Sequence, residues 1–221
     1  MKVYIGYDSR EDEAYEVCRH SILSRSDVDC FGLVQQELRD SGLYWRGIDS
    51  LAATEFSITR FLTPTLAKEG FAVFCDCDFL FQSDIRKVLD EIDPDKAVSV
   101  VQHQYTPQET VKMDGCKQHP YPRKNWSSFM VFNCNHPKVK ALTPDVVNLR
   151  TPAYLHRFEW LDDKDIGALP VGWNYLVGVY PHTRENIHAL HYTLGGPWFG
   201  IECDFMDEWE CERKRLVRSA R

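Results

Sequence analysis

Short apolar runs alternate along this chain with segments in which apolar residues recur every three to four positions. The runs are typical of strands, which we expect at residues 3–7, 30–36, 71–81, 97–101, 129–132 and 187–192. The helical spacing predicts helices at residues 14–23, 53–68, 84–92, 137–148 and 154–160. Polar stretches at residues 38–51 and 104–125 are predicted to be loops. Strands that alternate with helices indicate an α/β fold with a mostly parallel central sheet flanked by helices.

The length and composition narrow the class of protein. A chain of 221 residues suits one domain, and the formal net charge of −7 argues against a nucleic-acid partner. The chain opens on a strand-like run and has no apolar segment long enough to span a bilayer, so we expect a cytoplasmic location. The eight cysteines are then expected to be reduced thiols. Cys75 and Cys77 form C-x-C, which lacks the spacing of a zinc ribbon.

Two acids interrupt the most apolar run of the chain. Asp76 and Asp78 lie between Phe71-Ala72-Val73-Phe74-Cys75 and Phe79-Leu80-Phe81. Burying carboxylates in such a run is costly unless a positive group compensates them, and carboxylate oxygens are natural ligands of divalent cations. In a strand the two side chains would share one face. The pattern predicts a metal site, the alternative being solvated acids in a turn.

Other polar residues follow predicted strands. His191 ends a strand and precedes Gly195 and Gly196, whose backbone N–H groups could approach a phosphate. Mixed carboxylate and imidazole ligation suits manganese or a similar ion, although a lone histidine is more often a structural residue. Because ligands of parallel sheets bind beyond the carboxyl ends of the strands, we expect Tyr7 and Asp8 to lie at the same site.

Three further groups are candidates for chemistry. Asp162 and Asp163 could orient an acceptor hydroxyl or act as a base, or they could simply cap a helix. Arg60 could pair with an acid of the metal site or with a phosphate, or lie on the surface. Polar groups beside an aromatic ring suit sugar recognition, which makes the loop-to-strand junction Lys124, Asn125, Trp126 and Ser127 a candidate acceptor site.

In this order, the segments resemble the GT-A fold nucleotide-sugar glycosyltransferases, and most closely family 8 with its bacterial and viral relatives. The matching segments are residues 5–8, 54–61, 76–78, 127–133, 162–174 and 191–198. The resemblance covers most of the chain and implies a single Rossmann-like GT-A domain over residues 1–221. Its nucleotide-binding half would span about 1–102 and its acceptor-side half about 103–200, followed by a basic C-terminal tail at about 201–221.

The resemblance also implies a role for each matching residue. Asp76, Asp78 and His191 would hold Mn²⁺ (or Mg²⁺). The nucleotide-sugar donor, a UDP- or GDP-sugar, would contact Tyr7, Asp8, Arg60, Gly195 and Gly196. The acceptor would contact Lys124, Asn125, Trp126 and Ser127, and Asp162 and Asp163 would lie near the reacting sugar carbon.

Three positions depart from the family pattern. Gly196 stands where family 8 often has a lysine, and Trp126-Ser127-Ser128 replaces its usual Asn-Ser-Gly. The run Asp162-Asp163-Lys164-Asp165 replaces a stricter Asp-Gln-Asp element, so which of its acids matches is ambiguous. These departures leave the sugar and the stereochemical class open.

The expected function is metal-dependent transfer of a sugar from its nucleotide to a hydroxyl of a glycan or a lipid-linked acceptor. Residues 104–122 would be the lid that excludes water. A haloacid-dehalogenase-like phosphatase that uses the D-x-D acids and a non-catalytic sugar- or nucleotide-binding module are the alternatives. Basic residues near the C-terminus would make a peripheral contact with an anionic membrane, unless they form a solvated helix end.

Overall fold

A computed structural model of the protein describes residues 1–47, 52–104 and 122–219. Its strands are β1 (Lys2–Gly6), β2 (Asp29–Leu33), β3 (Phe71–Cys75), β4 (Phe79–Phe81), β5 (Val98–Val101), β6 (Phe129–Asn133), β7 (Ile166–Leu169), β8 (Tyr175–Leu176) and β9 (Ala189–His191). Its α-helices are α1 (Asp12–Leu23), α2 (Gln35–Asp40), α3 (Thr63–Ala67), α4 (Pro137–Lys140), α5 (Pro144–Leu149), α6 (Pro152–His156) and α7 (Met206–Ser219). Most of the predicted loop and lid at 104–125 lies outside the described residues.

The central sheet has six strands in the order β2-β1-β3-β6-β5-β7. All of them are parallel except β6, which pairs antiparallel with β3 and β5. The predicted α/β class with a mostly parallel central sheet is therefore confirmed. The carboxyl ends of β1, β3, β5 and β7 meet at one edge of the sheet, together with the amino end of β6. We call this edge the site edge.

A second, smaller sheet extends the site edge. It has the order β4-β9-β8, and β4 pairs antiparallel with β9 so that Phe79 lies opposite His191. The apolar run that follows the two acids is thus a strand of a different sheet from the run that precedes them. The chain passes from one sheet to the other through residues 76–78.

The apolar pattern accounts for the packing of the main elements. From Ala72 to Cys75, β3 is fully buried because it lies between β1 and β6 in the middle of the sheet. The inward side of α1 is formed by Ala14, Val17, Cys18 and Ile22, which recur at helical spacing. None of the helices in the described ranges has the length and apolar content that crossing a bilayer requires.

Proline explains two wrong helix predictions. The helix expected at 53–68 is a 3₁₀ turn at Thr59–Leu62 followed by α3, in whose first turn Pro64 lies. The helix expected at 137–148 is divided into α4 and α5, with Thr143 capping α5 and Pro144 in its first turn. Proline lacks a backbone N–H and is accommodated only where an α-helix begins.

Other elements differ from the predictions for local reasons. The expected helix at 84–92 is a 3₁₀ helix at Ile85–Asp90, and α2 forms where the strand at 30–36 was expected to end. The strand β7 was not predicted at all, since its sequence Ile-Gly-Ala-Leu has no strong pattern. Gly167 packs closely against the neighbouring strand, since a Cβ there would lie 2.6 Å from Ser99 Oγ.

The C-terminal segment predicted as a basic tail contains α7, which has four acidic and four basic residues and packs against α1. Glu212 of α7 is buried, and its carboxylate accepts hydrogen bonds from Arg25 at 2.7 and 3.0 Å and lies 2.7 Å from His20 Nδ1. Burial opposes the charge of Glu212, but these partners lower its pKa to about 2. The segment is therefore an ion-paired helix whose basic residues are concentrated in its second half.

Candidate metal centre

Asp76 and Asp78 lie in the turn between β3 and β4, not within a strand as expected. The turn is fixed on both sides, because Asp76 N–H donates to the Ser128 carbonyl at 3.0 Å and the Asp78 carbonyl accepts from Tyr192 N–H at 3.0 Å. The two acids therefore reach the same place through a sheet-to-sheet turn rather than through the two-residue period of a strand.

His191 completes a group of three ligands. One ligand atom each of Asp76, Asp78 and His191 lies within 4.8 Å of the others, and His191 Nε2 is 3.3 Å from Asp78 Oδ2. The antiparallel pairing of Phe79 with His191 produces this proximity, and the Phe79 ring stacks on the imidazole at 4.4 Å. Two carboxylates and a buried imidazole suit Mn²⁺ or Mg²⁺ in donor chemistry, so the residues fit the predicted ion.

Asn174 fixes the protonation of His191. Asn174 Nδ2 donates to Ser128 Oγ at 2.8 Å and to the Asn125 carbonyl at 3.3 Å, so its Oδ1 must be the atom that faces His191 Nδ1 at 2.8 Å. Because Oδ1 can only accept, Nδ1 carries a proton, and in the neutral imidazole Nε2 is then the nitrogen with the lone pair. This tautomer is the one that binds a metal through Nε2.

Arg60 is buried beside the acids. Its Nη1 lies 2.8 Å from Asp76 Oδ1 and donates to the Ser127 carbonyl at 2.8 Å. The guanidinium lies over the rings of Phe56 and Phe74, at 5.2 and 5.0 Å from their centroids. The expected pairing of Arg60 with an acid of the site is therefore present, while its contact with a donor stays a prediction.

Tyr7 and Asp8 follow β1 at the site edge. Asp8 is fully buried and accepts from Arg10 N, Nε and Nη2 and from Glu55 N–H. Burial alone would raise the pKa of Asp8, but these hydrogen bonds lower it. Tyr7 Oη donates to Asp12 at 2.9 Å. Arg10 and Glu55 also line a cavity of about 200 Å³, so Asp8 organises the wall of that cavity.

The glycine turn lies next to Asp78. Gly195 has a φ of 102°, and a Cβ on Gly196 would lie 2.2 Å from the Trp198 ring. A crevice of about 20 Å³ separates this turn from Asp78 and Glu11. The two predicted phosphate-binding glycines are thus brought to the three-ligand group.

The predicted acceptor segment also reaches the site edge. Asn125 adopts a left-handed conformation with a φ of 63°, and its carbonyl accepts from Asn174. Trp126 Nε1 donates to the His103 carbonyl at 3.1 Å, and Ser127 Oγ lies 2.8 Å from His156 Nδ1. Lys124 is buried. These contacts give the segment a structural role, and contact with an acceptor stays a prediction.

Asp162 and Asp163 are not brought to the metal group. They precede β7, whose first residue pairs with Val98 at the start of β5, and this places them at the edge opposite the site edge. Asp162 pairs with Lys138 at 3.1 Å, and Asp163 pairs with Arg123. The expectation that they lie near a reacting sugar carbon is therefore not supported, because the chain enters β7 directly after them.

Sequence reasoning missed three residues of the site. No role was predicted for Asn174, the last residue of the matching segment 162–174, or for Glu11, because only the tertiary fold brings them to His191 and Asp78. His103 lies just beyond β5, with Nδ1 at 2.6 Å from Tyr180 Oη and no hydrogen-bond partner for Nε2 among the described residues. Burial, together with the nearby His191, lowers the pKa of His103 to about 3. The sequence signal for His103 is its position two residues beyond the predicted strand at 97–101.

Comparison with known proteins shows the fold. No protein-family model matches the chain. It is 51% identical over 218 residues to Protein CDI of Arabidopsis thaliana, covering 95% of this chain and 84% of that protein.

Among solved structures, the chain resembles the bifunctional glycosyltransferase WbbM, with a TM-score of 0.67 and 14% identity over 99% of this chain. It also resembles the glycosyltransferase GlyE of Streptococcus pneumoniae TIGR4, with a TM-score of 0.63 and 10% identity over 99% of this chain. The chain spans 51% of the WbbM chain and 63% of the GlyE chain. It also resembles the galactosyltransferase LgtC, with a TM-score of 0.59 and 10% identity, over 98% of this chain and 96% of that one. These likenesses confirm the predicted GT-A fold.

Proposed function

We propose that this chain, which belongs to the same family as Protein CDI of Arabidopsis thaliana, is a metal-dependent glycosyltransferase. It would move a sugar from a nucleotide-diphosphate sugar to a hydroxyl group of a glycan or lipid-linked acceptor. The observation that carries the proposal is the convergence of Asp76, Asp78 and His191 at the site edge of a GT-A fold. The sheet-to-sheet turn, the tautomer of His191 and the adjacent glycine turn all support it.

Asp76, Asp78 and His191 would hold Mn²⁺ or Mg²⁺. When bound there, the ion would neutralise the charge that develops on a diphosphate leaving group. The chain contributes the rest of the arrangement. Asn174 holds His191 in its metal-binding tautomer, and Arg60 pairs with Asp76 and orients it beside the Ser127 carbonyl.

The donor would extend from this group in two directions. Its phosphates would face Gly195 and Gly196, whose lack of side chains lets backbone N–H groups approach closely. Its nucleoside, from a UDP- or GDP-sugar, would lie at the end of β1 near Tyr7 and the cavity organised by Asp8. The position of this cavity between the ends of β1 and β2 supports the assignment.

The acceptor would approach from the side of Lys124, Asn125, Trp126 and Ser127. This segment contacts both Arg60 and Asn174, so an acceptor bound there would be close to the metal group. We assign no catalytic role to Asp162 or Asp163, because the strand register places them at the opposite edge.

A peripheral contact with anionic membranes is a further part of the proposal, with the protein in the cytoplasm. Lys214 and Arg218 are exposed on the second half of α7, next to the exposed Val217. Vesicles that contain anionic lipid should bind the wild-type protein and release the doubly substituted Lys214→Glu, Arg218→Glu variant. Equal binding of both would contradict the contact.

A screen of nucleotide-sugars in the presence of Mn²⁺, read as released nucleotide, tests the function. We expect turnover with one donor class, and loss of turnover in the Asp78→Asn variant. Binding of a donor without transfer or hydrolysis would instead indicate a non-catalytic module. Release of inorganic phosphate with a trapped aspartyl-phosphate would indicate a phosphatase.

A further inference from the structure

A second cavity lies on the far side of Trp173 from the metal centre. It has a volume of about 580 Å³ and is lined by residues of the segment after β7, by the segment before β9 and by Glu91. His188 of this cavity and His191 of the metal centre are at the two ends of a stack of five rings. The stack runs from His188 through Trp173, Phe129 and Phe79 to His191, with centroid separations of 4.5, 6.2, 5.9 and 4.4 Å.

Hydrogen bonds hold the polar groups of this cavity in place. Glu91 Oε1 accepts from Trp173 Nε1 at 3.3 Å and lies 3.9 Å from His188 Nε2. The other ring nitrogen of His188 lies 3.0 Å from Ser83 Oγ. Both side chains remain partly exposed, Glu91 at 32% and His188 at 27%. The carboxylate and the imidazole are therefore oriented by the protein and still accessible from the cavity.

The wall of the cavity is tightly packed at Gly172. A Cβ at this position would lie 1.9 Å from the Asn186 carbonyl oxygen, and the Gly172 carbonyl accepts from His188 N–H at 2.8 Å. The segment that carries Asn186 is also tied to α7 through an ion pair of Arg184 with Glu208 at 2.7 Å. The cavity is thus a formed part of the fold.

The lining defines the chemistry of a ligand. Among the described residues that form it are two carboxylates, Glu91 and Glu185, and no lysine or arginine. This charge disfavours phosphates, nucleotides and other anions. Hydrogen-bonding groups of Asn186 and His188 lie beside the apolar surface of Pro170 and Val171. Carboxylate, amide and imidazole groups bind hydroxyls, while an apolar surface accepts the C–H face of a sugar ring, and the volume is in the range of small-molecule sites.

We propose that this cavity is a second binding site for a neutral oligosaccharide, separate from the metal centre. Glu91 accepts hydrogen bonds from the sugar hydroxyls, and Val171 packs against the ring carbons. The site would hold a glycan at a distance from the transfer chemistry. Its existence does not depend on the proposed transferase activity.

An array of neutral oligosaccharides probed with the labelled 221-residue chain tests the proposal, followed by calorimetry with the best-bound compound. Val171 and Val217 are each 48% exposed, so Val171→Arg blocks the cavity while Val217→Arg is a matched control. We expect at least a tenfold weaker affinity in Val171→Arg and in Glu91→Gln. The Val217→Arg and Asp76→Asn variants should bind as the wild type does.

Several results would overturn the proposal. One is an array on which no neutral oligosaccharide binds, and another is binding that Val171→Arg leaves unchanged. Loss of binding in Asp76→Asn would place the glycan at the metal centre instead. Competition by spermidine stronger than by any oligosaccharide would assign the cavity to cations. Failure of the donor screen alone would leave this site intact, since neither Glu91 nor Val171 belongs to the metal centre.

Discussion

Replacement of Asn174 by alanine should weaken metal binding without a change in any ligand. In the folded protein Asn174 is fully buried and accepts from His191 Nδ1, so Nε2 is the nitrogen that the neutral imidazole offers to a metal. Without this acceptor the neutral imidazole can carry its proton on Nε2, and its ring is free to turn. Losing such a partner of a metal-binding histidine typically costs about 10- to 100-fold in affinity. That range corresponds to about 1.4–2.8 kcal/mol.

The same substitution should also lower the free energy of unfolding. The Nδ1–H of His191 and Ser128 Oγ would each lose a buried hydrogen bond to Asn174, and an unsatisfied buried group costs about 1–3 kcal/mol. Calorimetric titration with Mn²⁺ measures the affinity, and urea unfolding without metal measures the stability. Both measurements are made on the full chain.

Asn148→Ala is the matched control. Asn148 is also buried and hydrogen-bonded, accepting from Trp45 and Arg46 N–H and donating to the Leu43 and Pro144 carbonyls. It should lower stability and leave Mn²⁺ affinity at the wild-type value. A folded Asn174→Ala protein that binds Mn²⁺ as tightly as the wild type would refute the assignment of the tautomer.

Three further predictions test other parts of the account. Asp162→Asn and Asp163→Asn should leave Mn²⁺ affinity and any transfer rate within about twofold of wild type, because surface ion pairs such as theirs contribute little; a hundredfold loss of rate would return them to the site. The pKa of Glu212, about 2 against an ordinary 4.5, predicts stability that is complete above about pH 4.5 and is lost as the pH falls toward 2. In Glu212→Gln, acid unfolding curves should lose most of that pH dependence. Gly6→Ala should destabilise by about 1–3 kcal/mol, since its Cβ would lie 2.4 Å from the buried Phe56 ring, whereas Gly47→Ala meets nothing within 4 Å and should unfold like wild type.

The sequence predicted the strands and helices whose apolar pattern is complete within a few consecutive residues. The buried runs of β3 and β6 and the helical spacing of α1 were read correctly, whereas the acid pair expected within a strand lies in the turn after β3. Proline positions also had a local signal, since Pro64 and Pro144 each lie in the first turn of a helix, but the spacing of apolar residues around them was given more weight. Strand β7 lacked a signal because Gly167 packs against β5 instead of contributing a side chain.

The relative placement of the site residues could not be read from the sequence. His191 reaches Asp78 because β9 pairs with β4 in a second sheet. That pairing joins segments more than 100 residues apart, and no local pattern predicts it. Strand pairing also determines where Asp162 and Asp163 lie. They precede β7, which starts at the edge opposite the metal centre. Asn174 ends the matching segment 162–174, but only its hydrogen bond to His191 identifies its role.

Calorimetric titration with UDP and GDP, in the presence and absence of Mn²⁺, tests the central claim most directly. The account predicts that one of the two nucleotides binds with Mn²⁺ present, and that its affinity falls at least tenfold when the metal is removed. It predicts the same loss in the Asp78→Asn variant with Mn²⁺ present, since Asp78 is one of the three proposed ligands. Nucleotide binding that is equally tight without metal, or unchanged in Asp78→Asn, would contradict the assignment of Asp76, Asp78 and His191 as the metal centre of a sugar-donor site.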